Sequence, residues 1–178
     1  MATSSNSARL GSQPWVIILC KFADVPAEPR TVGYYRDLLS ANFPGMDHFW
    51  REVSYDAINL ENSRVAGWYV LPHPRSYYVY GDPLWLDQIR ALRDATAVAD
   101  RDVYFPSYAG IALFFNDFVG EKYLGYGGPM NWTLDGVNRT WGVTWLPPTL
   151  LHSVYGHDRN ANHHVFAHEM GHAMGLPH

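Results

Sequence analysis

Residues 15–20 read Trp-Val-Ile-Ile-Leu-Cys, six apolar positions in a row between Pro14 and Lys21. A run this short and this rich in β-branched residues predicts the first core strand. Thr31 then offers a helix cap, with Tyr34, Tyr35, Leu38 and Leu39 at helical spacing behind it. A second helix is expected near Asp47, with Met46, Phe49, Trp50 and Val53 on one stripe. Ala57–Leu60 and Val65–Leu71 read as two short strands around the polar turn Glu61–Arg64. Asp82-Pro83 has the form of a helix start, an acidic cap before a proline, and Trp85, Ile89, Leu92 and Ala99 continue an apolar face to about Asp100. Gly110–Phe115 is continuously apolar, as in a strand buried on both faces. Gly120–Pro148 is rich in glycine and tryptophan without a clear period, and within it Trp141–Leu146 reads as a strand at a sheet edge. The last helix is expected from around Asn160–Asn162 to Gly175, a natural left-handed cap. Strands alternating with helices predict an α/β (α+β) sandwich, with helices packed on a twisted sheet.

Composition narrows the function classes. The 178 residues suit one domain, and 47% hydrophobic against 17% charged residues is enough apolar material for a core. A net charge of −4 argues against a protein that grips nucleic-acid phosphates. No apolar run is long enough to span a membrane. The single cysteine, Cys20, excludes an intrachain disulfide framework, and its apolar strand holds no adjacent base for thiol catalysis. Residues 1–13, rich in Ser, Ala and Asn, read as a flexible lead-in without a convincing signal peptide. Two sequons, Asn131-Trp-Thr and Asn138-Arg-Thr, matter only in a chain exported by a eukaryote.

The histidines change the picture. Five of the nine fall between His163 and His178, and His168–His178 spells H-E-x-x-H-x-x-G-x-x-H. On a helix, His168 and His172 lie one turn apart on one face and can grip a single metal ion at about 2.0–2.1 Å. Glu169 is rotated by about 100°, too far to be an ideal ligand yet able to reach a water at the metal. Gly175 lets the chain leave the helix, so that His178 can return as a third ligand. Three neutral histidines leave one position for water, the arrangement of a catalytic rather than a structural zinc. Glu169 would take the water's proton and pass one to the leaving amine. Chance assembly of the whole pattern in this chain is on the order of 10⁻⁴ or below. A metal-free histidine-rich helix end explains neither Glu169 nor Gly175, and a rival register on His164 and His168 has Val165 where the base should be. His48, His73, His152 and His157 read as ordinary surface or loop histidines.

His168–His178 matches every fixed position of the metzincin zinc-peptidase motif, and the chain resembles that family. Upstream, 20–24, 49–55, 67–72, 86–100 and 108–116 resemble more narrowly the immune inhibitor A type of secreted bacterial metallopeptidases. The resemblance implies a metzincin-like N-terminal subdomain: a twisted, mostly parallel sheet with a backing helix, an active-site helix, and one antiparallel edge strand that holds extended substrate. Trp141–Leu146 is the candidate for that strand. It further implies Zn²⁺ as cofactor, His168, His172 and His178 as ligands, Glu169 as general base, a protein or peptide substrate, and secretion. Family members continue past the third histidine into a C-terminal subdomain with a methionine turn. Residues 14–178 are therefore expected to be the N-terminal part of a zinc endopeptidase catalytic domain, truncated at the third ligand. Two alternatives stand beside the endopeptidase. One is a non-catalytic protein- or carbohydrate-binding module with a vestigial zinc site, suggested by 15% aromatic residues. The other is a zinc hydrolase of small amides. Asp117, Asp135 and Asp158 are possible calcium ligands, though no EF-hand-type loop joins them.

Overall fold

The two most apolar runs of the chain lie side by side at the centre of one sheet. The structure, a computed structural model, describes residues 10–120, 125–148 and 161–177. Its elements are β1 (Gly11–Ser12), β2 (Trp15–Lys21), α1 (Val32–Leu38), α2 (Met46–Val53), β3 (Ile58–Asn59), β4 (Arg64–Val70), α3 (Arg75–Tyr78), β5 (Val79–Tyr80), β6 (Trp85–Leu86), α4 (Gln88–Ala99), β7 (Gly110–Phe115), β8 (Tyr126–Leu134), β9 (Val137–Leu146) and α5 (Ala161–Ala173). The main sheet runs β4-β2-β7-β9-β8. Its first four strands are mutually parallel, and β8 alone runs antiparallel, at the edge.

Alternation along the strands builds two cores. Val16, Ile18 and Cys20 of β2 and Ile111, Leu113 and Phe115 of β7 face α4, whose Ala91, Leu92, Ala95 and Ala99 are all buried. The alternate residues, Trp15, Ile17, Leu19, Ala112 and Phe114, face the other way and pack against Tyr35 and Leu38 of α1, Met46 and Trp50 of α2, and Phe166 and Met170 of α5. Strands covered on both faces need no polar alternation, which explains the unbroken apolar runs in the sequence.

The antiparallel edge comes from a two-residue hairpin. Leu134 pairs with Val137 across Asp135-Gly136, both of positive φ (48° and 75°), as a type I′ turn demands. At the far side of the sheet, Asn116 ties the loop after β2 to the end of β7. Its Oδ1 accepts from the Phe22 N–H at 3.0 Å, and its Nδ2 donates to the carbonyls of Val25 and Ala27 at 2.7 and 2.8 Å.

Several expectations shift. Trp141–Leu146 is not an edge strand: it is part of β9, which lies between β7 and β8, and the edge belongs to β8. The helix expected from Asp82-Pro83 starts at Gln88, where the Asp87 carboxylate accepts from the Arg90 N–H at 3.0 Å. Asp82-Pro83 instead lies in the turn of a small hairpin, because Val79–Tyr80 pairs with Trp85–Leu86 and the Trp85 ring packs on Tyr80. Ala57–Leu60 contracts to β3, which pairs with β1 in a two-stranded parallel ladder. Among the described residues no helix is long and apolar enough to cross a membrane.

Asn116→Ala should strand the Phe22 N–H and two carbonyls in a buried corner, at a cost of about 2–4 kcal/mol. Thermal unfolding should then fall by roughly 5–15 °C relative to wild type; an unchanged midpoint would remove this role.

Candidate metal centre

Helix α5 lies against the glycine positions at the β8–β9 end of the sheet, and that contact places the candidate site. A Cβ at Gly127 of β8 would collide with the backbone carbonyl of Glu169, and one at Gly142 of β9 would sit 2.8 Å from the Ala173 carbonyl oxygen. Only residues without a side chain permit this approach. One consequence is that Glu169 sits where the edge strand begins: its Cγ would be 3.1 Å from a Cβ at Gly125.

The two helical histidines meet as their spacing requires. His168 is exposed and His172 is buried. Their rings are almost perpendicular, at 89°, with centroids 4.5 Å apart, and their Nε2 atoms are 3.0 Å apart. Two nitrogen ligands on one tetrahedral ion at about 2.0–2.1 Å stand roughly 3.3 Å from each other. The pair therefore fits a shared divalent cation after a movement of a few tenths of an ångström.

The turn that ends α5 orients the second histidine. Gly175 has φ 102°, its N–H donates to the His172 carbonyl at 3.0 Å, and the Leu176 N–H donates to the Gly171 carbonyl at 2.9 Å. This is a Schellman closure, and it brings the Leu176 carbonyl 3.0 Å from Nδ1 of His172. With Nδ1–H donating to that carbonyl, Nε2 keeps its lone pair and faces His168. A ring nitrogen bonded to the backbone in this way is how proteins hold a metal-ligating tautomer.

His178, the third expected ligand, lies outside the described residues, as do His152, His157 and Asp158. Among the described residues no group of three or more His, Cys, Asp or Glu side chains is poised to hold a metal. The described residues therefore bring together two histidines, with Glu169 next to the first of them in the chain. Asp117 accepts from the Phe118 N–H and lies 3.7 Å from Arg75 Nε, and Asp135 accepts from the Phe105 N–H; both carboxylates serve loop geometry. Cys20 is fully buried, and burial pushes its thiol far up, so it supplies no thiolate at neutral pH.

Two features of the surroundings were not singled out in the sequence. The first is β8, the antiparallel edge of the sheet among the described residues, which starts beside Glu169; the hairpin dipeptide Asp135-Gly136 was the signal that could have exposed it. The second is a cleft of about 660 Å³ between α2 and α5. His168 and His172 form part of its wall, and so do His163 and His164, expected only as solvated first-turn residues. His48, read as an ordinary histidine, lines the opposite side from α2 with its Nδ1 3.8 Å from a Glu52 oxygen. His73 is a packing residue, stacked on Tyr77 at 4.0 Å.

Gly175→Ala forces a side chain into a left-handed conformation and should displace the Leu176 carbonyl from His172. Zinc affinity, read by chelator competition, should drop about 10-fold or more while the circular dichroism of the fold is retained. Unchanged affinity would show that the turn does not orient the ring. No protein-family model matches this chain, and neither a curated protein nor a solved structure matches it.

Proposed function

We propose that the protein is a zinc-dependent endopeptidase, or the N-terminal part of one, of metzincin type. The observation that carries the reading is the pair of imidazole Nε2 atoms 3.0 Å apart on consecutive turns of α5, one held by a backbone carbonyl, with Glu169 following the first of them. A histidine pair of neutral nitrogens suits Zn²⁺. His178 completes the ligand set in this reading, on the strength of the motif. The sheet supports it as well: a mostly parallel sheet with α4 behind it, α5 on the other face and one antiparallel edge strand is the layout that the metzincin resemblance implies.

When bound, zinc supplies Lewis acidity and lowers the pKa of water. The chain's own groups do the rest. The Glu169 carboxylate takes a proton from the attacking water and gives one to the departing amine. Among the described residues β8 is the sheet edge and starts beside Glu169, so its stretch before Pro129 offers backbone groups to which an extended peptide can add as a further strand. That places β8, rather than Trp141–Leu146, as the substrate strand of this proposal. Secretion belongs to the same proposal and rests on the resemblance to immune inhibitor A-type peptidases.

Glu169→Ala should keep zinc, since both described histidines remain, and lose about 10²–10⁴-fold of casein hydrolysis by the zinc-loaded protein. A variant that cleaves casein at the wild-type rate would sink the role given to Glu169.

A further inference from the structure

We infer that Trp50 of α2 and Leu176 are positioning residues for the candidate metal centre, because they keep closed the turn whose carbonyl holds His172; this rests on the metal-centre reading above. The backbone aims that carbonyl. The bonds that close the turn run from the Gly175 N–H to the His172 carbonyl and from the Leu176 N–H to the Gly171 carbonyl. Gly175, Leu176 and Pro177 are all exposed, at a helix end, where fraying begins. A Schellman turn is ordinarily secured by an apolar contact between its last residue and the side chain five positions earlier. That position is Gly171, which has no side chain to offer.

The contact is rebuilt from another helix. Leu176 lies directly on the Gly171 backbone, where a Cβ would stand 3.3 Å from Leu176 Cδ1. The Trp50 ring reaches the same spot from α2, with Cη2 3.8 Å from that Cβ position. Trp50 is 6% exposed and belongs to the core that holds Met46 and Met170, so it forms a fixed wall. Its helix is anchored in turn: the Asp47 carboxylate accepts from the Leu60 N–H at 2.6 Å and from Arg51 Nε at 3.1 Å. Pro177 adds a backbone constraint, since a residue before proline is confined to extended conformations. Leu176 is thus held by its own N–H, by the proline after it and by the seat under its side chain. When the turn opens, Nδ1 of His172 loses the carbonyl 3.0 Å away and the ring is free to rotate. A change at Leu176 therefore reaches the histidine through the backbone, and opening of the turn sets how fast zinc leaves.

The test uses the whole chain, with zinc as the probe. Hydrogen exchange is read at the Gly175 and Leu176 amides and at His172 Nδ1–H in the zinc-free protein. Release of zinc to excess chelator is read in the loaded protein. Leu176→Ala, at a position 57% exposed, should speed exchange at all three sites about 5-fold or more, corrected for intrinsic rates. Zinc release should quicken by a similar factor, while the amides of Phe166 and Met170 keep their protection. Trp50→Phe, whose shorter ring withdraws from Gly171, should act in the same direction, and Leu176→Met should restore wild-type values. Unchanged exchange in Leu176→Ala overturns the inference, as does faster exchange with unaltered zinc release. Protection lost equally at Phe166 and Met170 assigns both residues to general stability and overturns it as well. Should the wild-type chain hold no zinc while exchange changes as stated, the hold on His172 stands and the metal-centre reading fails.

Discussion

Contact between the backbone of α5 and the backbone of two strands governs the arrangement of this molecule. Helices usually stand off a sheet by the length of their side chains. Here Gly127 admits the Glu169 carbonyl and Gly142 admits the Ala173 carbonyl, so the helix is fixed at two points about a turn apart on the sheet surface. Everything chemical on α5 takes its position from those two contacts. With the helix axis held against β8 and β9, its histidine face turns away from the sheet, and Glu169 is left at the start of the edge strand. The two cores then close around this arrangement, α4 on one side and α1, α2 and α5 on the other.

The end of the same helix solves a different problem. A histidine pair on a helix is two rings free to rotate, unless something selects a rotamer and a tautomer. The Schellman closure at Gly175 supplies that something without a second side chain, since the Leu176 carbonyl is aimed at His172 by backbone geometry alone. The glycine in the motif therefore has a local reason in addition to redirecting the chain.

Most of the α/β alternation and the approach of the two α5 histidines were legible because they rest on periodicity. The apolar runs Trp15–Cys20 and Gly110–Phe115 became the paired central strands, and the four-residue spacing of His168 and His172 became a 3.0 Å approach. The misreadings come from signals that two structures share. Asp82-Pro83 suits a helix start and a hairpin turn equally, and the pairing of Val79–Tyr80 with Trp85–Leu86, invisible in local propensity, selects the turn. β8 was hidden because Gly127, Gly128, Pro129 and Asn131 are poor strand formers; the strand exists through its pairing with β9 and its closeness to α5. Trp141–Leu146, placed at an edge from sequence, is interior because that unseen partner lies outside it. The cleft could not be read at all, since α2 and α5 are more than a hundred residues apart and nothing local announces their packing.

Pro129 has one more effect. An edge strand tolerates proline where its nitrogen faces solvent, and β8 carries one at its fourth residue. Any chain zipping along this rim finds docking sites near Tyr126 and then a missing donor, so the ladder cannot propagate to the hairpin tip without a break. Past that point the side chains of Asn131 and Thr133 bond across the hairpin to those of Thr140 and Asn138. A proline at this place is one of the devices by which an edge strand resists pairing with copies of itself into fibres.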